Sequence, residues 1–280
     1  MNKYITTILA ALLLSASAVF GQSYEPVELA EKIFSKEEFP DIDNYVTGEY
    51  KGAFRGDIFE ENAVFKYRLL EQTDKAAVVN MTVLDSTGKG VDTYLHFEKD
   101  NIWKMNAFRA LAMTGYIQQM VIELEKMTPQ QIEEIIEELK GKEHDMFESE
   151  EEYKLYIDNL KLILALDDEI IKHFQAHKPE FERLKNLALD ELTSKNVQGE
   201  QAVKLLETGR KDYKKLLITS VSFGDYFVGR DCLSFLIGGM VDNTVGYLYV
   251  KDKKDLPEMH PSRIIMIREI GNGWYMYKTT

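Results

Sequence analysis

The stretch SRIIMIREIGNGWYMYKTT, residues 262–280, decides how this chain is read. It is an apolar run, a turn at Gly271-Asn272-Gly273, and a second run carrying Trp274. An Asn-Gly pair between two runs of β-formers is a hairpin signal. Side chains alternate across a strand, so Trp274 and Met276 share one face while Tyr275 and Tyr277 share the other. Residues 264–267 are apolar at successive positions, the pattern of a strand covered on both faces like a central one. The chain has only two tryptophans. Aligning Trp103 with Trp274 pairs Glu98 with Glu269, Asn101 with Asn272 and Met105 with Met276, so HFEKDNIWKM reads as a second closing hairpin.

Working outward from Trp103, four strands are expected as an antiparallel meander: 63–70, 76–84, 91–99 and 102–107. The breaks at 72–75, at Asp85-Ser86-Thr87-Gly88 and at Asp100-Asn101 have turn chemistry. Leu95 and Phe97 fall on one face of the third strand, Tyr94, His96 and Glu98 on a wetter one. A short helix at 25–34 precedes the meander, with Pro26 suited to a first turn. Around Trp274 the strands expected are 217–223, 232–238, 244–252, 263–270 and 274–279, preceded by a helix over 200–217. Between the two strand blocks the period turns helical. A helix is expected over 108–125. Another starts at Thr128-Pro129-Gln130-Gln131 and ends at Gly141. A long one starts at Ser149-Glu150-Glu151-Glu152 and bends or restarts at Pro179. The fold class is therefore α+β: two antiparallel meanders, related by duplication or by convergence, around a central block of long helices. The expected divisions are 22–107, 108–198 and 199–280.

Residues 1–21 read as a signal peptide. Lys3 gives the positive start, 8–14 is an apolar core too short to span a bilayer, and Val19 and Gly21 occupy the −3 and −1 positions of a cut before Gln22. An exported protein, periplasmic or secreted, is expected, with no transmembrane segment after cleavage. The whole chain carries a net charge of −13, and the one charge ahead of the cut is positive. That surface repels phosphate backbones, so nucleic acid is not an expected partner. Cys232 is the sole cysteine, so no intramolecular disulfide can form and the fold rests on its apolar core.

The helix leading into a meander that ends in Glu98-x-x-Asn101-x-Trp103-x-Met105 resembles the sheet of cystatin-like and nuclear-transport-factor-like α+β folds. The resemblance covers about 63–107 and, less closely, 231–280. It implies a curved sheet and its helix enclosing a cone-shaped pocket. The helices of 108–195 depart from those folds, and no catalytic residue carries over.

Candidate chemistry is sparse. Glu169, His173 and His177 recur four apart along one helix, a spacing that would let them share a divalent ion. HFQAH lacks the glutamate of the zinc-protease motif. Against metal binding, His177 lies near an apolar stripe between Phe174 and Phe181. Cys232, within CLSFLI, reads as an inert strand residue. The carboxylate-rich 123–152 reads as a solvated face or a docking surface for a basic partner. Tyr67, Tyr94 and His96 on the first sheet, and Tyr247 and Tyr249 on the second, are the candidate ligand-binding residues. Tyrosine offers flat apolar area with a polar tip. Tyr45, Tyr50, Tyr226, Tyr275 and Tyr277 could extend those faces. No P-loop, dinucleotide-binding glycine motif or serine elbow is present, and no cofactor is expected. The expected function is binding of a small molecule or protein partner without catalysis. The alternatives are a hydrolase or isomerase with a site assembled from separate strands, and a structural protein of the cell surface.

Overall fold

The computed structural model describes residues 23–52, 59–140, 147–195, 202–225 and 228–280. The signal-peptide reading of 1–21, Gly141 as a helix stop and Tyr226 fall outside the described residues. Among those described, two antiparallel sheets and seven helices form an α+β protein.

Helix α1 (Pro26–Ile33) leads by two 3-10 turns to the first sheet, β1 (Val64–Gln72), β2 (Ala76–Leu84), β3 (Gly90–Lys99) and β4 (Trp103–Ala110). These strands pair in sequence order, as a meander should. The alternation holds. Leu95, Phe97, Val79 and Met81 point to α1 and join Trp103 and Met105 in one core. Among the described residues that core fills the space between α1 and the sheet with Trp103, Phe34 and Phe97, all under 3% exposed, so apolar side chains stand there in place of the cone-shaped pocket implied by the resemblance. The other face, carrying Val78 and Tyr94, is covered by the helices and the second sheet rather than by water.

Two expectations in the middle of the chain are corrected. Residues 108–110, expected to be helical, extend β4, because Phe108, Arg109 and Ala110 pair with Leu95, Tyr94 and Thr93. Helix α2 (Thr114–Glu125) starts only after Met113, which sits in the left-handed region at φ 61°. Helix α3 (Pro129–Leu139) begins as expected, with a reciprocal capping box between Thr128 and Gln131. The long helix from Ser149 is interrupted at Ala165-Leu166. This gives α4 (Glu150–Leu164), α5 (Asp167–Ala176) and, restarting beside Pro179, α6 (Lys178–Lys195).

The helix expected over 200–217 gives way to β5 (Val203–Leu205), a 3-10 turn and the one-turn helix α7 (Arg210–Lys214). Tertiary pairing overrides helical propensity here, since Val203 and Leu205 ladder onto Phe223 and Val221. The remaining strands are β6 (Ser220–Asp225), β7 (Gly229–Met240), β8 (Asn243–Tyr249), β9 (Ile264–Gly271) and β10 (Trp274–Thr279).

The second sheet runs β5-β6-β7-β8-β10-β9, so it leaves the plain meander at its last step. The β9–β10 hairpin turns on Asn272 and Gly273, at φ 56° and 82°, as a two-residue turn of the primed kind requires. It enters the sheet with β10 against β8, which makes β9 the border strand. Its apolar run is nonetheless buried, with Ile264, Ile265 and Met266 fully covered. The position resembling a central strand is thus a border strand protected by other means. Ile264 O accepts from His260 N at 2.8 Å, Ile267 N donates to Met259 Sδ at 3.1 Å, and Ile265 O is 3.0 Å from His96 Nε2 of the first sheet. Both tryptophans open the second strand of their hairpins, opposite Lys99 and Gly271, but Trp103 lies on a border strand and Trp274 on an inner one.

Candidate functional site

The candidate ligand-binding residues do not converge. Tyr67 lies on the α1 side of the first sheet, stacked on Phe65 with ring centroids 6.4 Å apart. Burial and the nearby Glu31 push its hydroxyl well above the ordinary range. Tyr94 and His96 face the opposite way and are closed off, 0% and 4% exposed. Tyr247 is sealed between Phe174 and Phe181 and donates to Ile170 O at 2.8 Å. Tyr249 is half-buried, 5.5 Å from the Trp274 ring centroid and under the Lys185 ammonium. Tyr277 crosses Gly246 to reach Ser234 Oγ at 3.0 Å; a Cβ on Gly246 would lie 2.9 Å from that ring. Tyr94 and Tyr247 fill the core shared with the helices, and Tyr277 joins a separate apolar cluster with Val228, Cys232, Leu248 and Ile267.

What the first sheet's wetter face holds is a sealed polar cluster. Asp167, the first residue of α5, lies 2.8 Å from Lys278 Nζ on β10. It also accepts from the Tyr94 hydroxyl at 2.8 and 3.0 Å. Its backbone N–H donates to Asp92 Oδ2 at 2.7 Å, and Asp92 Oδ1 accepts from Asn80 at 3.1 Å and from the Thr82 hydroxyl. Burial raises the Asp167 carboxyl while the Lys278 ammonium pulls it back, and burial with the Asp167 charge raises the Tyr94 hydroxyl. His96 is driven the other way, to about 4, by burial and by the charges of Arg109 and His260. The side chains of Asp167 and Lys278 are only 2% and 5% exposed. A buried pair with every polar partner satisfied is an architectural tie between α5, β3 and β10.

The metal candidates are also placed. His173 and His177 stand side by side, with ring centroids 4.6 Å apart. His173 Nε2 lies 3.1 Å from Leu216 O and His177 Nδ1 lies 2.9 Å from His173 O. Glu169 turns outward to Lys172 at 3.4 Å. Among the described residues no group of three or more His, Cys, Asp or Glu side chains is placed to hold a metal ion. Cys232 is buried, its Sγ 3.4 Å from Asp255 O, and burial pushes its thiol up to about 12. No helix of the described residues is long and apolar enough to cross a membrane.

One open concavity lies where sequence reasoning expected a helix. β5 and α7 are too short to cover the flank of α4, and a cleft of about 630 Å³ remains between α4, α7 and β6. Its α4 wall reads Glu152, Leu155, Tyr156 and Asn159. Glu152 and Asn159 are seven positions apart, which on a helix is roughly 10 Å at 1.5 Å each. Asn159 closes one end by donating to Leu217 O and Ile237 O, both at 2.7 Å. Glu152 closes the other. Its N–H caps onto Ser149 Oγ at 3.1 Å, and its carboxylate takes Glu148 N–H at 3.1 Å and Lys214 Nζ at 3.3 Å. Leu236 and Val221 form the apolar floor, and Arg210 stands one helical turn from Lys214. Burial raises the Tyr156 hydroxyl, which stays neutral in the wall. The sequence signal for this cleft was weak: Gly209 and the charged run RKDYKK interrupt any apolar stripe across 200–217.

No protein-family model, curated protein or solved structure matches the chain. The geometry therefore stands alone as the ground for a functional reading.

Proposed function

We propose that this protein works outside the cytoplasm as a binding protein, taking a small ligand into the cleft between α4, α7 and β6 and releasing it unchanged. The leader-like residues 1–21 support export. The cleft carries the rest: its volume falls in the range of ligand sites, with an apolar floor and a few polar groups at its ends. Binding is favoured over catalysis because Tyr94, Asp167 and His96, whose displaced protonation would suit acid–base work, are sealed between the sheets and away from the cleft.

The test is an NMR screen of a fragment library on the mature chain. Binders should shift amides of 152–159 and 217–221 and be recovered intact. Shifts confined to other faces, or turnover of the bound fragments, would overturn the reading.

A further inference from the structure

Resting on that reading, we infer that the ligand is an uncharged, mainly apolar molecule with a carbonyl oxygen, its body on Leu155, Leu217 and Leu236 and its oxygen on the Tyr156 hydroxyl. The charges of the cleft decide the class. Glu152 and Lys214 are paired at 3.3 Å, and Glu152 also takes Glu148 N–H at 3.1 Å. Arg210 is not free. Lys204 and Glu207 are exposed and of opposite sign, so solvent screens both. An ionic head entering the cleft would lose its own water and would gain a counter-charge only by breaking the Glu152–Lys214 pair. An uncharged head meets neither cost.

The apolar body follows from the lining. Leu155, Tyr156, Leu217 and Leu236 are half-buried, so each keeps hydrocarbon that an incoming molecule can cover. A wholly polar neutral molecule would leave that area wet. The ends are fixed by the Asn159 and Glu152 bonds, so the wall offers roughly 10 Å for the body. The Tyr156 hydroxyl supplies the polar contact. It bonds to none of the described residues, and burial raises its pKa, so it stays a neutral donor. Plain hydrocarbon laid over it would strip its water and leave it unpaired, whereas a carbonyl oxygen accepts from it and brings no charge.

The test uses three eight-carbon probes that differ in the head: octan-2-one, octanoate and octylammonium. Calorimetry on the mature protein at pH 7 should show the ketone binding best, with an affinity that added salt does not weaken. Tyr156→Phe should weaken the ketone roughly three- to tenfold, the scale of one neutral hydrogen bond. Its thermal midpoint without ligand should match the parent's, because the lost hydroxyl bonds no described residue, and this separates lost binding from lost fold. An unchanged ketone affinity in Tyr156→Phe would overturn the placement of the oxygen. Tighter binding of octanoate or octylammonium would overturn the uncharged class and leave the cleft a ligand site. Binding of none of the three, with fragment hits at 152–159 and 217–221, would overturn the apolar body and again leave the cleft. Fragment hits that avoid both stretches would overturn the cleft itself.

Discussion

His96 shows how far a single side chain departs from its sequence-level meaning. Alternation along β3 placed it correctly opposite Leu95 and Phe97, on a face read as wet. That face is polar but dry, because Ile265 of a strand 169 positions away covers it. The imidazole therefore stays neutral, its pKa falling from 6.5 to about 4. The unfolded chain takes up a proton near pH 6.5 that the folded chain refuses until about pH 4, so the stabilisation is complete above pH 6.5 and is lost as pH falls toward 4. At about 1.4 kcal/mol per pKa unit this amounts to roughly 3 kcal/mol. Asp167 works in the opposite sense, since its carboxyl is raised in the folded state. A comparison of variants removes that contribution. Denaturant unfolding at pH 7 and pH 4 should show the parent losing about 3 kcal/mol more than His96→Gln, whose amide can still donate to Ile265 O. Parallel losses in the two proteins would mean that His96 is protonated in the fold. Tyr94 was singled out by the same alternation, yet its partners Asp167 and Lys278 were not. The bonds run across 73 and 111 positions of chain, and no local pattern carries such a distance.

At the scale of elements, local chemistry was readable where it is self-contained. The Thr128 box, the Ser149 cap, the Asn272-Gly273 hairpin and the bounds of β2 and β10 all depend on neighbours in sequence. What sequence could not supply was which segments are captured by a sheet. Val203 and Leu205 become strand by pairing with β6, and 108–110 by pairing with β3, and the first of these captures opens the cleft. Capture also leaves strain. The β7–β8 hairpin is closed by Val241, a β-branched residue held at φ 57° and 87% exposed, where a left-handed backbone costs an L-residue about 1–2 kcal/mol. Asparagine tolerates that conformation better, and so little of Val241 is buried that its side chain contributes little packing. Val241→Asn should therefore stabilise the protein by about 1 kcal/mol, read as a higher denaturant midpoint with an unchanged slope. A lower midpoint would show that the valine makes a contact worth more than the strain.

Over the whole molecule, the two tryptophans that first marked the hairpins report on two cores that the polar cluster joins. Trp103 sits with α1 in the first core, and Trp274 sits against Phe174, Phe181 and Phe235 in the other, its indole N–H on Glu182 at 2.9 Å. Val78 and Tyr94 of the first sheet belong to that second core, and Asp167 ties β3 to β10 through Tyr94 and Lys278. The sequence left open whether its strand blocks fold separately. These shared groups argue for one cooperative unit, since opening the seam would expose an ion pair and apolar surface together. In the single-tryptophan variants Trp103→Phe and Trp274→Phe, the fluorescence transition in urea should coincide with the far-UV dichroism transition of the same variant. Lys278→Met then cuts the tie. It leaves the Asp167 carboxylate buried without its cation, at a cost of about 3–5 kcal/mol. Introduced into the variant that retains Trp103, it should either lower one shared midpoint by that amount or separate fluorescence from dichroism. Unchanged, coincident transitions in the presence of Lys278→Met would mean that the seam contributes nothing to holding the sheets together.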